Sequence, residues 1–164
     1  MKNISMTILF FAFCFSSAYS QIIVTLNGTP HFDTSSLMVT EAGNDFSDII
    51  NELQASTTIN IRNNSINNPN NYDYKLDVSL LEMVGTIDLG IERTGIGTNR
   101  SGGIATGKIE GGTPAVQVSV SPVQFVAGRG DRLNVPVKFS LRNLSVVQPA
   151  GNVTFTLVFT ATML

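Results

Sequence analysis

A single histidine, a few acids on strand-like segments and two short glycine motifs are the residues here whose types could support chemistry. His31 follows Pro30 in a turn-prone stretch, so any serine nucleophile would have to be brought to it. Serine hydrolases need a base within hydrogen-bond reach of the hydroxyl, and no Gly-x-Ser-x-Gly turn is present. Asp77, Glu82, Asp88 and Glu92 could pair as the acid and base of a glycosidase. Each falls on a polar face or at a strand end, where a carboxylate simply stays solvated. Transition metals want clustered histidine or cysteine, and neither type is clustered. No regular Asp-x-Asp spacing marks a calcium loop. The expectation is a protein that is not an enzyme and holds no cofactor and no metal.

Gly95-Ile96-Gly97-Thr98-Asn99-Arg100 begins like a dinucleotide fingerprint, but Arg100 stands where the third glycine belongs and no βαβ pattern surrounds it. It reads as a turn. Arg129-Gly130-Asp131 spells an integrin-binding tripeptide in a plausible exposed loop, which a tight turn before Leu133 explains as well. Acceptor sequons at Asn27, Asn63, Asn99, Asn143 and Asn152 follow from a composition rich in asparagine and threonine.

The elements that must position these residues begin with an export leader. Lys2 precedes a compact apolar run, Ile8 to Phe15, and Ala18-Tyr19-Ser20 sets small residues where signal peptidase reads them. Residues 1–20 are therefore expected to be removed, leaving Gln21 first and residues 21–164 as one domain. The run is too short for a spanning helix, which needs about 20 apolar residues, so no transmembrane segment follows cleavage. Losing Lys2 leaves nine basic against twelve acidic residues, a net charge of −3. The basic residues are scattered and lack aromatic neighbours, which argues against nucleic acid. The one cysteine, Cys14, leaves with the leader, so no disulfide holds the domain.

Strand patterns fill the rest. Ile22, Val24 and Leu26 share one face of a short strand that Asn27-Gly28-Thr29-Pro30 ends. Ser36 to Glu41 is a second candidate. Phe46, Ile49, Ile50 and Leu53 are spaced for a short helix but fit an irregular strand equally. Thr57 to Arg62 alternates, and Asn63 to Asn71 is a loop. Tyr74, Leu76, Val78 and Leu80 line one face, and Ile87, Leu89 and Ile91 another. Thr94 to Gly103, rich in glycine, reads as a flexible loop. Ile104 to Glu110, Ala115 to Val120 and Val123 to Val126 are short strands. Leu133 to Leu141 alternates around Pro136, which points to an edge or a bulge. The last strand is clearest: Val153, Phe155, Leu157, Phe159, Ala161 and Met163 alternate with Thr154, Thr156, Val158, Thr160 and Thr162. Eight to ten short strands and at most one short helix predict an all-β antiparallel sandwich.

Gly151 is the fourteenth residue from the end, and the alternating strand after it runs to the penultimate Met163. This resembles the C-terminal motif of chaperone–usher pilus subunits, with Met163 in place of the penultimate aromatic. Asn152 to Thr162 is also similar to the closing strand of spore-coat-protein-U-type pilin domains, and Leu89 to Gly97, Phe125 to Gly128 and Leu141 to Val147 loosely resemble their middle and late segments. The resemblance implies an immunoglobulin-like sandwich that lacks one strand, and a bacterial subunit exported through the periplasm to the cell surface. Its partners would be a periplasmic chaperone, an outer-membrane usher and like subunits. On that basis Gly151, Val153, Phe155, Leu157, Phe159, Ala161 and Met163 form the pairing strand. Ile22, Val24 and Leu26 are the possible donor strand, or else simply the first strand of their own sheet. The alternative function is a stand-alone secreted binding module, for carbohydrate or another surface ligand, using loops 63–71 and 94–103. The chain has no tryptophan, and only Tyr72 and Tyr74 follow the leader as tyrosines.

Overall fold

The computed structural model describes residues 6–11, 22–33, 49–53, 57–63, 72–82, 87–100, 107–144 and 153–164. All regular structure among them is β: β1 (Met6–Phe11), β2 (Ile22–Asn27), β3 (Ile50–Asn51), β4 (Thr57–Asn63), β5 (Asp73–Glu82), β6 (Asp88–Arg93), β7 (Lys108–Gly111), β8 (Ala115–Val118), β9 (Val123–Arg129), β10 (Arg132–Arg142) and β11 (Val153–Met163). One sheet has the order β1-β11-β5-β9-β7. The other runs β2-β4-β10-β6-β8, with β3 also paired to β10. Every pairing is antiparallel except β1 with β11, which is parallel.

The core lies between the sheets, and β5, β10 and β11 alternate into it. Tyr74, Leu76, Val78 and Leu80 of β5, Phe125 of β9, and Phe155, Leu157 and Phe159 of β11 are buried from one side. Ile59 and Ile61 of β4, Leu89 and Ile91 of β6, and Val135, Val137, Phe139 and Leu141 of β10 are buried from the other. Each such aliphatic or aromatic side chain contributes roughly 1.5–3 kcal/mol when it leaves water. The all-β sandwich expected from the sequence is the fold observed.

Ile50 and Asn51 are strand, which resolves the ambiguity at that point against a helix; residues 34–48, including the strand expected at Ser36 to Glu41, lie outside the described residues. Glu52 continues the ladder with its side chain. Its N–H donates to the Phe139 carbonyl at 2.9 Å, and Phe139 N–H donates to Glu52 Oε2 at 3.1 Å. The Thr57 hydroxyl donates to Oε1 at 3.4 Å, linking the residue after β3 to the start of β4.

Pro136 sits in an interior strand, not at an edge. The bulge alternative fits better: the β4–β10 register shifts between Arg132 and Val135. Asn134 takes φ 52° there and its N–H donates to Asn60 Oδ1 at 2.7 Å.

Candidate functional site

The strand with the clearest sequence pattern, β11, pairs along one side with β5, from Thr156 opposite Glu82 to Met163 opposite Tyr74. Its inner face is dry: Phe155 and Leu157 are fully buried and Phe159 nearly so, while Ala161 is partly buried and Met163 is 37% exposed. Gly151 lies outside the described residues. Along its other side β11 pairs with β1 in parallel, from Met6 opposite Val153 to Phe11 opposite Val158. That register sets Ile8 opposite Phe155 and Phe10 opposite Leu157. In the full chain β11 is therefore an interior strand, and its outer neighbour comes from the apolar run that reads as an export leader. Without residues 6–11, the N–H and C=O groups on that side of β11 would face water.

Ile22, Val24 and Leu26 lie on β2, which pairs with β4 of the same chain from Ile22 opposite Asn63 to Asn27 opposite Thr58. Ile22 is buried, and Val24 and Leu26 pack partly against the core. β2 ends its sheet, and it crosses close to β11 of the other sheet. The two strands named from the sequence thus lie on one side of the sandwich.

At the end of the sandwich where β4 stops and β5 starts, a buried polar cluster fastens the loops. Asp131 is fully buried and accepts from Asn63 N–H at 2.9 Å, from the Tyr72 hydroxyl at 2.7 Å, and from Arg100 Nη1 at 3.4 Å. The Arg-Gly-Asp tripeptide is therefore not an integrin ligand in this fold, because its carboxylate is consumed internally. Arg132, only 4% exposed, donates from Nη1 to the Gly107 carbonyl at 2.7 Å and to Asn99 Oδ1. Its Nη2 donates to the carbonyls of Gly97, at 2.8 Å, and Ile96, and its Nε donates to Ile96 O at 2.8 Å. A planar guanidinium with five N–H donors suits this converging set.

Residues 94–100 are correspondingly held, not free. Thr98 N–H donates to Leu133 O at 2.7 Å and Leu133 N–H returns the bond at 2.8 Å. Gly97 takes φ 65°, and a Cβ there would stand 2.4 Å from Leu133 O. The Gly-x-Gly sequence serves this close approach to β10, and the flexible loop expected over that stretch is corrected for these residues.

Tyr74 meets this end of the core from β5. Its buried hydroxyl has no hydrogen-bond partner among the described residues, and burial pushes its pKa from 10.0 up to about 12 against the pull of Arg132 and Arg93. Tyr72 is also raised, by burial first and then by its bond to Asp131. With folded pKa values above unfolded ones, the phenols support stability fully below pH 10 and lose that support as pH rises from 10 toward 12. Tyr74→Phe removes the unpaired hydroxyl and should raise unfolding stability by about 1 kcal/mol. Urea titrations from neutral to alkaline pH check both: the variant should start higher and lose less above pH 10.

The remaining candidates do not assemble. His31 is exposed and offers its carbonyl to Leu53 N–H at 3.0 Å. Asp77 pairs with Lys75 at 3.2 Å, and Asp88 accepts from Asn143 Nδ2 at 2.6 Å. Asp77 and Glu82 lie on β5, whereas Asp88 and Glu92 lie on β6 of the other sheet. No helix among the described residues is long and apolar enough to cross a membrane. The chain matches no protein-family model, no curated protein and no solved structure.

Proposed function

We propose that the exported chain is a structural or adhesive subunit of a bacterial surface fibre, assembled by β-strand complementation within an immunoglobulin-like, pilin-like sandwich. The observation that carries this reading is the pairing of β11 with residues 6–11. Cleavage after Ser20 removes that neighbour and leaves β11 as a long edge over Phe155, Leu157 and Phe159. An unpaired edge beside apolar side chains is a template for a strand from another chain. During export a periplasmic chaperone would cover it, and at the outer-membrane usher a like subunit would replace the chaperone.

The donor in this reading is Ile22, Val24 and Leu26 of a neighbouring subunit, whose alternation matches the inner positions of β11. Ile22 would follow the new N-terminus directly, so donation requires β2 to leave the edge of its own sheet, against its pairing with β4, the burial of Ile22 and the partial burial of Val24 and Leu26.

A second reading, the stand-alone secreted binding module, is favoured by that same β2, which is already a strand of its own sheet. The two separate on the state of the exported protein. A fibre subunit starts at Gln21 by mass spectrometry and sediments as multimers that Val24→Asp reduces to monomer. A binding module sediments as a monomer with or without that change.

A further inference from the structure

We infer that the outer face of the second sheet carries a binding site for a neutral saccharide, on a different surface from the β11 edge. Register builds the site. Asn51 stands opposite Ser140, Ser140 opposite Gly90, and Gly90 opposite Gln117. Residues directly opposite one another share a face, so the four form one row across β3, β10, β6 and β8. Gly90 leaves a gap in the middle of that row; a Cβ there would stand 2.4 Å from Ser140 Oγ. The result is an open hollow of about 300 Å³ that Glu92 and Arg142 also line, at the lower end of the range for small-molecule sites.

The lining specifies the ligand class. Asn51, Glu92, Gln117, Ser140 and Arg142 have no hydrogen-bond or ion-pair partner for their side chains among the described residues. Two carboxamides and a hydroxyl both donate and accept, the carboxylate accepts and the guanidinium donates. Such a set matches the mixed donors and acceptors of vicinal sugar hydroxyls. One negative and one positive group leave the hollow without net charge, which disfavours acidic and basic ligands. Ile49, 46% exposed at the rim, offers an apolar surface to sugar C–H groups. From Asn51 to Gln117 is three strand spacings, roughly 14 Å, enough for two linked pyranose rings. No aromatic side chain lines the hollow among the described residues, so the single site is weak. Repetition along a fibre would convert weak sites into avidity, but the site itself does not depend on assembly.

The test is an amide NMR titration of the isolated exported protein with maltose, cellobiose and lactose, and with the zwitterionic dipeptide Lys-Glu. At least one disaccharide should shift amides in 89–92, 115–118 and 139–142 and leave β11 unmoved. Gln117→Ala should weaken binding about tenfold, the loss of one well-made hydrogen bond. Gly90→Ala, which the Ser140 hydroxyl can accommodate by rotating, should weaken it as well by filling the floor. The proposal fails if no disaccharide moves those amides, if the dipeptide binds more tightly than every sugar, or if both variants bind like the parent. None of these outcomes bears on whether the protein forms multimers.

Discussion

Arg132→Ala should cost on the order of 4 kcal/mol of unfolding free energy, at the upper end of single-residue effects. The side chain is 4% exposed and its donors reach Ile96, Gly97, Asn99 and Gly107. Truncation takes the donor from the buried Gly107 carbonyl and from the part-buried carbonyls of Ile96 and Gly97 at once, and each unsatisfied buried group costs about 1–3 kcal/mol. Some relax toward water at the loop surface, so the sum is not reached. Arg132→Lys keeps the charge but cannot span carbonyls on separate segments, and should recover less than half of the loss. Urea unfolding of the parent and both variants measures this. An alanine variant within about 1 kcal/mol of the parent would show that the cluster does not hold the loops.

Appending a strand to the mature chain should have the other large effect. The appended segment repeats Met6–Phe11 after Leu164, on a flexible linker long enough to return to the start of β11 and run parallel to it. Apolar side chains opposite Phe155 and Leu157 would each contribute roughly 1.5–3 kcal/mol on burial, with ladder hydrogen bonds added. For a domain of this size that raises the melting temperature by on the order of 10 °C, and under the proposed strand complementation it should turn multimers into monomers. The same segment with aspartate at the positions of Ile8 and Phe10 should do neither. Calorimetry and sedimentation read the two effects separately.

The strands that bury one face were legible because period two is a local signal. The alternation of β5 and β11 names Tyr74, Leu76, Val78, Leu80, Phe155, Leu157 and Phe159, and these are the residues found buried. What the local pattern hides is polar and distant. On β4, Asn60, which falls with the solvent-facing set, and Asn63, which reads as the start of a loop, are both buried. Asn60 accepts from Asn134, 74 residues on, and the Asn63 N–H reaches Asp131, 68 residues on. The glycines of 94–100 suggested looseness, yet the donor that fixes Ile96 and Gly97 is Arg132, 36 and 35 residues later. Asp131 was readable only as part of an exposed tripeptide, because no spacing rule predicts that a charged residue will find Tyr72 and Arg100. The row through Gly90 also required register, since its four residues come from four separate strands.

Amide hydrogen exchange along β11 tests the strand-complementation account most directly. Successive N–H groups of a strand point to opposite sides, so one alternate set from Thr156 onward bonds to β5, and the other, up to Val158, faces the place of β1. In monomeric mature protein the first set should exchange slowly and the second at nearly the rate of an open chain. In the fibre, or with the appended strand, both sets should be slow. Equal, strong protection of both sets in the mature monomer would mean that β11 is already closed by its own chain, and would contradict the account.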